Sequence, residues 1–193
     1  SYWAEQLSGI PKYDSPDQDQ QSYAMFLELD KTLTQSLLYT ASKAYHTEIN
    51  DLLLTALAYA LKEINQSNVQ GITLEGHGRE NIDPSIDHSH TVGWFTSMFP
   101  VRLELKDNIK ESIQFIKESL RSIPNKGVGF GSFATDESVS CGHDDLPGIS
   151  FNYLGQFDVR EGEDNWQVVF EGSGASIDPS NRDHNQISIN GSV

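Results

Sequence analysis

Glu75, His77 and Arg79 alternate with glycines in the run Leu74-Glu75-Gly76-His77-Gly78-Arg79-Glu80. A carboxylate, an imidazole and a guanidinium this close together supply a proton acceptor, a proton donor and a fixed positive charge. That is the equipment of general acid–base chemistry. The glycines flanking His77 let the backbone turn sharply and let a ligand approach closely. The short apolar run Ile72 to Leu74 predicts a strand that delivers Glu75 to its mouth. The same letters also describe a plain surface loop closed by a salt bridge, and the segment alone does not separate the two.

Periodicity predicts the elements that must hold this segment. Tyr23, Met25, Leu27 and Leu29 alternate as a strand does. Thr32 and Gln35 form a capping box for a helix carrying Leu33, Leu37, Ala41 and Ala44. Thr47 is placed to cap a second helix with Ile49, Leu53, Leu57, Leu61 and Ile64 on one face. Leu52, Leu54, Ala56, Ala58 and Ala60 widen that stripe and predict a helix buried on most sides. Phe99, Val101, Leu103 and Leu105 alternate cleanly, and Asn108 with Glu111 opens a helix bearing Ile109, Ile113, Ile116, Leu120 and Ile123. Residues 149–157 and 166–170 read as further strands, 187–193 as a strand and turn, and the polar stretch 14–21 as a surface loop. Several strands follow one another without helices between them. The class is therefore α/β with a mixed sheet rather than a doubly wound one.

Composition narrows the functional classes. A chain of 193 residues suits one domain, or one large lobe of a bigger one, and is long enough to bury a real core. Its formal charge of -15 argues against non-specific nucleic-acid binding, because phosphates are repelled. No apolar run approaches about 18 residues, so no membrane span is expected. The single Cys141 excludes an internal disulfide framework and suits a reducing cytoplasm. Cys141 has no local base and reads as inert. The first residues, Ser1 to Ala4, begin in the middle of an amphipathic segment, and a strand in the last seven residues needs a neighbour. Both ends therefore read as cut from a longer polypeptide.

Other segments carry weaker signals. The stretch from Thr91 to Pro100 sets Trp94 and Phe95 beside Gly93 and several hydroxyls, and its plainest reading is a buried strand with an aromatic plug. His88 and His90 supply too few ligands for a metal site, with no third His or Cys at a supporting spacing, and no metal is assigned. Gly127, Gly129 and Gly131 lack the Lys and Ser/Thr of a phosphate loop and read as a turn where backbones pack closely. Asn152 and Tyr153 stand on an otherwise apolar strand and ask for buried partners or for a ligand.

Taken together and in order, these segments resemble the epimerization domain of nonribosomal peptide synthetases, a branch of the condensation-domain superfamily. The matching pieces are Thr47-Glu48-Ile49-Asn50-Asp51-Leu52-Leu53-Leu54, Glu75-Gly76-His77-Gly78-Arg79-Glu80 and Thr91-Val92-Gly93-Trp94-Phe95-Thr96. Lys126-Gly127-Val128-Gly129-Phe130-Gly131 and Ile149-Ser150-Phe151-Asn152-Tyr153-Leu154-Gly155-Gln156-Phe157 complete the set. The resemblance covers nearly the whole chain.

The resemblance implies a chloramphenicol-acetyltransferase-like lobe, a mixed β-sheet packed by helices, with an active site in a tunnel between two lobes. It implies inversion of the α-carbon of an aminoacyl or peptidyl group held as a thioester in antibiotic biosynthesis. No cofactor is bound directly; the substrate arrives on the phosphopantetheine arm of a peptidyl carrier protein. Glu75 would be one acid/base residue facing the tunnel, partly desolvated and so with a raised pKa. Arg79 would orient or pair with a carboxylate, and Asn152 and Tyr153 would hold the substrate or the enolate side. His77 is left as structural. Expected partners are the carrier protein, the N-terminal lobe of the same domain and adjacent synthetase domains, in the cytoplasm, with no nucleic acid and no membrane.

One departure matters. The family's second catalytic element is an H-H-x-x-x-D-G motif, and no His-His pair occurs in this sequence. The chain thus reads as the C-terminal lobe, spanning residues 1–193, and is expected to be inactive alone. A condensation domain that makes peptide bonds, and a non-catalytic lobe that docks carrier protein, are the two other readings.

Overall fold

The computed structural model of the chain describes residues 2–11, 13, 23–135, 145–156, 174, 178, 181 and 184–193. Along them run α1 (Tyr2–Leu7), α2 (Lys31–Gln35), a π-helical stretch (Ser36–Ala41), α3 (Ser42–Tyr45), α4 (Ile49–Asn65), β1 (Val69–Gly76) and β2 (Ser97–Glu104). There follow α5 (Ile109–Arg121), a 3₁₀ turn (Pro124–Gly127), α6 (Phe130–Ala134), β3 (Ile149–Tyr153) and β4 (Ile187–Gly191). The expected loop at 14–21, the expected strand at 166–170 and Cys141 lie outside the described residues.

The strands form one mixed sheet in the order β2-β1-β3-β4. β1 is antiparallel to β2 and parallel to β3, and β3 is parallel to β4. Side chains alternate between the two faces of each strand. Ile72 lies opposite Val101 and Leu74 opposite Phe99, with Phe151 beside Leu74, so one face is apolar. Leu54, Ala58 and Leu61 of α4 and Ile116 of α5 join Ile72, Phe99, Val101, Leu103 and Ile149 in the core. Burying each large side chain of this kind stabilises by about 1.5–3 kcal/mol. The other face carries Thr73 and Glu75, Met98 and Pro100, Ser150 and Asn152, and Ser188 and Asn190. That division sets up the site.

Polar contacts fix how the parts sit. Gln70, fully buried on the helix side of β1, accepts from Asn65 Nδ2 at 2.7 Å and donates to Asn65 Oδ1 at 3.0 Å and the Ser67 carbonyl at 2.7 Å. This satisfied carboxamide pair locks the end of α4 onto β1. Thr73 Oγ1 donates to the Pro147 carbonyl at 2.8 Å and holds the start of β3 beside β1. At the outer edge of β2, the Arg102 N–H donates to Gln6 Oε1 at 3.0 Å, and the Arg102 guanidinium donates to the Ser8 carbonyl. α1 and the residues after it thereby cover an edge that would otherwise expose ladder groups.

Several expectations are corrected. Residues 23–29 form no strand: Tyr23, Met25, Phe26 and Leu27 are 84–98% exposed. Alternation makes a strand only beside a partner edge, and no described strand runs next to this segment. Asp30, not Thr32, caps α2, with its side chain accepting from the Leu33 N–H at 2.8 Å. Glu48, not Thr47, caps α4 through a reciprocal pair with Asp51. The buried face of α4 is Asp51, Leu52, Leu54, Thr55, Ala58 and Leu61; Ile64 is 71% exposed and Ala56 and Ala60 face solvent. The sheet lies on one side of α4, so the wide apolar stripe is not buried throughout. Nor are residues 91–96 a buried strand. β2 begins at Ser97, and Trp94 is 92% exposed.

The expected cap of α5 is present. Asn108 caps α5 by accepting from the Glu111 N–H at 3.0 Å. Gly127 packs against a side chain rather than another backbone, since a Cβ there would lie 2.0 Å from the Phe99 ring at φ +94°, and Gly129 and Gly131 have no atom within 4 Å of an added Cβ, so the expected close packing of backbones is not what the turn shows. Among the described residues no helix is long and apolar enough to cross a membrane.

Candidate functional site

Glu75 lies one residue short of the end of β1, on the sheet face away from the packed helices. The parallel register pairs Thr73 with Ser150 and Leu74 with Phe151, and its next step sets Asn152 beside Glu75. Asn152 Nδ2 donates to Glu75 Oε2 at 3.1 Å. On the other side Glu75 lies opposite Met98 of β2. Glu75 is exposed rather than desolvated, because this end of the polar face opens outward. Its Oε1 has no hydrogen-bond partner among the described residues. The carboxylate is therefore held by one oxygen and presents the other, the arrangement needed to take or return a proton at a fixed point.

Tyr153 is not brought to this group. Neighbouring residues of a strand point to opposite faces, so Tyr153 packs against the apolar core while Asn152 joins Glu75. Its hydroxyl is buried and has no hydrogen-bond partner among the described residues. Burial pushes the phenol above its ordinary range.

Arg79 also departs from expectation. Its guanidinium donates to the carbonyls of His88 at 2.9 Å, Thr91 at 2.9 Å and Gly93 at 3.2 Å, and lies 4.1 Å over the Phe95 ring. Among the described residues these carbonyls, not a carboxylate, are its partners. The planar fork of five N–H donors is what lets one side chain hold three backbone groups and a ring face. Arg79 thus ties the Glu75–Glu80 segment to the loop ahead of β2, and this joining of two sequence motifs was not visible from spacing. Gly78 makes the approach possible: its φ is +67°, and a Cβ there would lie 1.6 Å from the Phe95 carbonyl oxygen.

His77 is structural. Its Nδ1 accepts from the Arg79 N–H at 3.0 Å, and Nε2 lies 2.9 Å from Glu80 Oε1. With Nδ1 accepting, the ring donates from Nε2 and is held in one tautomer. Lys126 Nζ reaches the other Glu80 oxygen at 3.3 Å, so Glu80 joins the turn before α6 to the end of β1. Lys126 and Asn125 are both left-handed, at φ 48° and 45°. Reading by motif missed this tie, although a lysine and a glutamate each flank a glycine-rich turn in the two segments. Among the described residues no group of three or more His, Cys, Asp or Glu is placed to hold a metal ion.

Comparison with known proteins gives the family. The condensation-domain family model matches residues 1–189. Bacitracin synthase 3 of Bacillus licheniformis is 47% identical over 142 residues, 70% of this chain and 2% of that protein. Surfactin synthase subunit 1 of Bacillus subtilis (strain 168) is 35% identical over 192 residues, 95% of this chain and 5% of that protein. The crystal structure of the epimerization domain from the third module of tyrocidine synthetase B superposes with a TM-score of 0.79 at 32% identity. It covers all of this chain, which spans 45% of that domain. The chain therefore belongs to the condensation-domain family, and within it is similar to an epimerization domain.

Proposed function

We propose that this chain carries the glutamate-bearing half of a site that inverts the α-carbon of an aminoacyl or peptidyl thioester. The substrate is presented on the phosphopantetheine arm of a peptidyl carrier protein. The thioester acidifies the α-hydrogen, so a carboxylate suffices to remove it, and inversion requires a proton returned to the opposite face. Glu75 serves one face. The observation that carries this reading is the Asn152–Glu75 hydrogen bond, which fixes the carboxylate on an open polar face.

Inversion needs a second acid/base group, and no His-His pair is present in the sequence. The second group belongs, on this reading, to the N-terminal lobe of the parent domain, with this chain as the C-terminal lobe. The chain alone then exchanges no α-protons. Asn152 holds Glu75; Arg79 shapes the loop bordering it.

The test is Glu75→Gln in the intact synthetase, with α-proton exchange measured on the loaded carrier. Loss of exchange is expected, and unchanged exchange ends the reading. The match to the condensation-domain family model supports a second reading, peptide-bond formation. Under that reading Glu75→Gln suppresses chain elongation while configuration at the α-carbon is never altered in the wild type.

A further inference from the structure

The sheet face that carries Glu75 is not uniform. The antiparallel register sets Met98 opposite Glu75 and Pro100 opposite Thr73. On the other side of β1 stand Ser150 and Asn152 of β3, and beyond them Ser188 and Asn190 of β4. β1 therefore divides an apolar strip on β2 from a neutral polar strip on β3 and β4. Pro100 is fully buried and gives the apolar strip a rigid floor, whereas Met98 is 40% exposed at its open end. The next side chain on this face of β2 is Arg102, about 13 Å from Met98 along the strand, and it is turned to the Ser8 carbonyl and to Glu104. Charge is thus absent from the β2 side of Glu75 among the described residues.

This division selects among the groups on a substrate α-carbon. When the α-proton passes to Glu75, the electron pair of the broken C–H bond moves into the thioester carbonyl and the α-carbon becomes planar. A base removes a proton from above or below that plane, so with Glu75 as the base the plane lies parallel to the sheet. Three substituents then fan out across the face: the nitrogen, the thioester carbonyl carbon and the amino-acid side chain. The first two carry groups that need hydrogen bonds, and over Met98 they would lose water and gain no partner. The side chain is the one substituent that can be apolar. Directly opposed residues in an antiparallel pair have Cβ atoms about 5 Å apart, so a side chain on an α-carbon held at Glu75 reaches Met98.

We propose that Met98 receives the side chain of the residue being inverted, and that it sets a preference for large apolar side chains, such as those of leucine and phenylalanine, over alanine. The inference rests on the reading of Glu75 given above. Asn152 occupies the β3 side of the Glu75 carboxylate through its hydrogen bond to Oε2, which leaves the β2 side for the side chain. Methionine suits the task because its unbranched thioether chain has three rotatable bonds and adapts to partners of different shape. Met98 acts on specificity alone, since it carries no group that gives or takes a proton.

The test loads the carrier of the intact synthetase with alanine, leucine or phenylalanine from the aminoacyl-CoA and measures α-proton exchange for each. Met98→Ala is expected to lower the leucyl-to-alanyl and phenylalanyl-to-alanyl rate ratios about 5- to 20-fold, the scale of lost apolar contacts in a side-chain pocket. Met98→Leu, which nearly conserves the volume, should restore both ratios to within about twofold of wild type. Equal losses on all three thioesters would give Met98 a structural role only and overturn the assignment, as would ratios unchanged in Met98→Ala. The same discrimination is read without turnover as Kd for leucyl and alanyl amides of aminopantetheine, in which nitrogen replaces the thioester sulfur. Their Kd ratio should shift by the same factor in Met98→Ala, and an unchanged ratio also overturns the assignment. Glu75→Gln abolishes exchange of all three thioesters if the reading of Glu75 is right. Exchange that survives it ends that reading, while the Kd ratios still decide the assignment of Met98.

Discussion

Asn152 Nδ2 donates to Glu75 Oε2 at 3.1 Å, joining the central strand β1 to its parallel neighbour β3. Because both side chains project from the same face of adjacent strands, the sheet itself sets their separation. Asn152→Ala should therefore slow α-proton exchange about tenfold in the intact synthetase, by loosening the carboxylate rather than by removing it. Asn152→Asp should be worse, since it sets two carboxylates side by side with no donor between them. Single-turnover exchange on the loaded carrier measures both. An Asp variant as active as wild type would show that the contact does not organise the site.

Tyr153 gives a contrasting prediction. Its hydroxyl is buried, without a partner among the described residues, and on the opposite face from Glu75. Tyr153→Phe should leave stability unchanged or raise it by about 1 kcal/mol, because an unsatisfied buried hydroxyl is removed and the ring is kept. Urea unfolding measures this. A loss of more than about 1 kcal/mol would show that the hydroxyl has a partner after all.

The adjacency of Asn152 and Tyr153 marks where the sequence stops being legible. A polar pair on an apolar strand correctly asks for partners, but both residues cannot face one site when side chains alternate. Only the register with β1 shows which of them reaches Glu75. Short-range signals fared similarly. The Asn108 cap and the alternating β2 residues were readable because the determinant is local. The Tyr23 alternation forms no strand because a strand also needs a neighbouring edge, and that edge is set far off in sequence. The caps at Asp30 and Glu48 show a smaller error: several Ser, Thr, Asp and Glu residues precede each helix, and tertiary placement selects among them. Arg79 was identifiable as important, yet its partners are carbonyls up to 14 residues away, and carbonyls leave no mark in a sequence.

Arg79 and Gly78 act as one device. Arg79→Lys retains the charge but not the fork, so two of the three carbonyl bonds and the stacking on Phe95 should be lost. The loop ahead of β2 should then become cleavable by protease at least several-fold faster, while the core remains folded. Gly78→Ala should do the same by a different route, forcing a Cβ into the Phe95 carbonyl in a left-handed backbone position. Limited proteolysis with mapping of the first cut tests both. First cuts elsewhere, at wild-type rates, would mean the loop is held by something other than this clamp.

Asp51 carries the pH dependence. It is 4% exposed on α4, and its Oδ2 accepts from the Glu48 N–H at 2.8 Å and lies 3.6 Å from Arg121 Nη2. Burial nevertheless pushes the carboxyl above the ordinary aspartate value of 3.8, outweighing the Glu48 hydrogen bond and the Arg121 charge. The native state then holds a proton more tightly than the unfolded chain. Between 3.8 and the raised value the native state binds more protons, so the Asp51 contribution to stability falls as pH rises through that window. Below 3.8 both states are protonated, and well above the raised value both are ionised, so the contribution is flat at either side. Asp51→Asn keeps an oxygen to accept from Glu48 and removes the titration. The difference between variant and wild-type unfolding free energies should therefore move in the variant's favour as pH rises from about 3 toward neutrality, and then level off. Urea unfolding of both proteins across that range measures the difference directly. If wild type instead gains on the variant with rising pH, the Arg121 attraction outweighs desolvation, and Asp51 is a stabilising ion-pair partner rather than a buried charge tolerated for its helix cap.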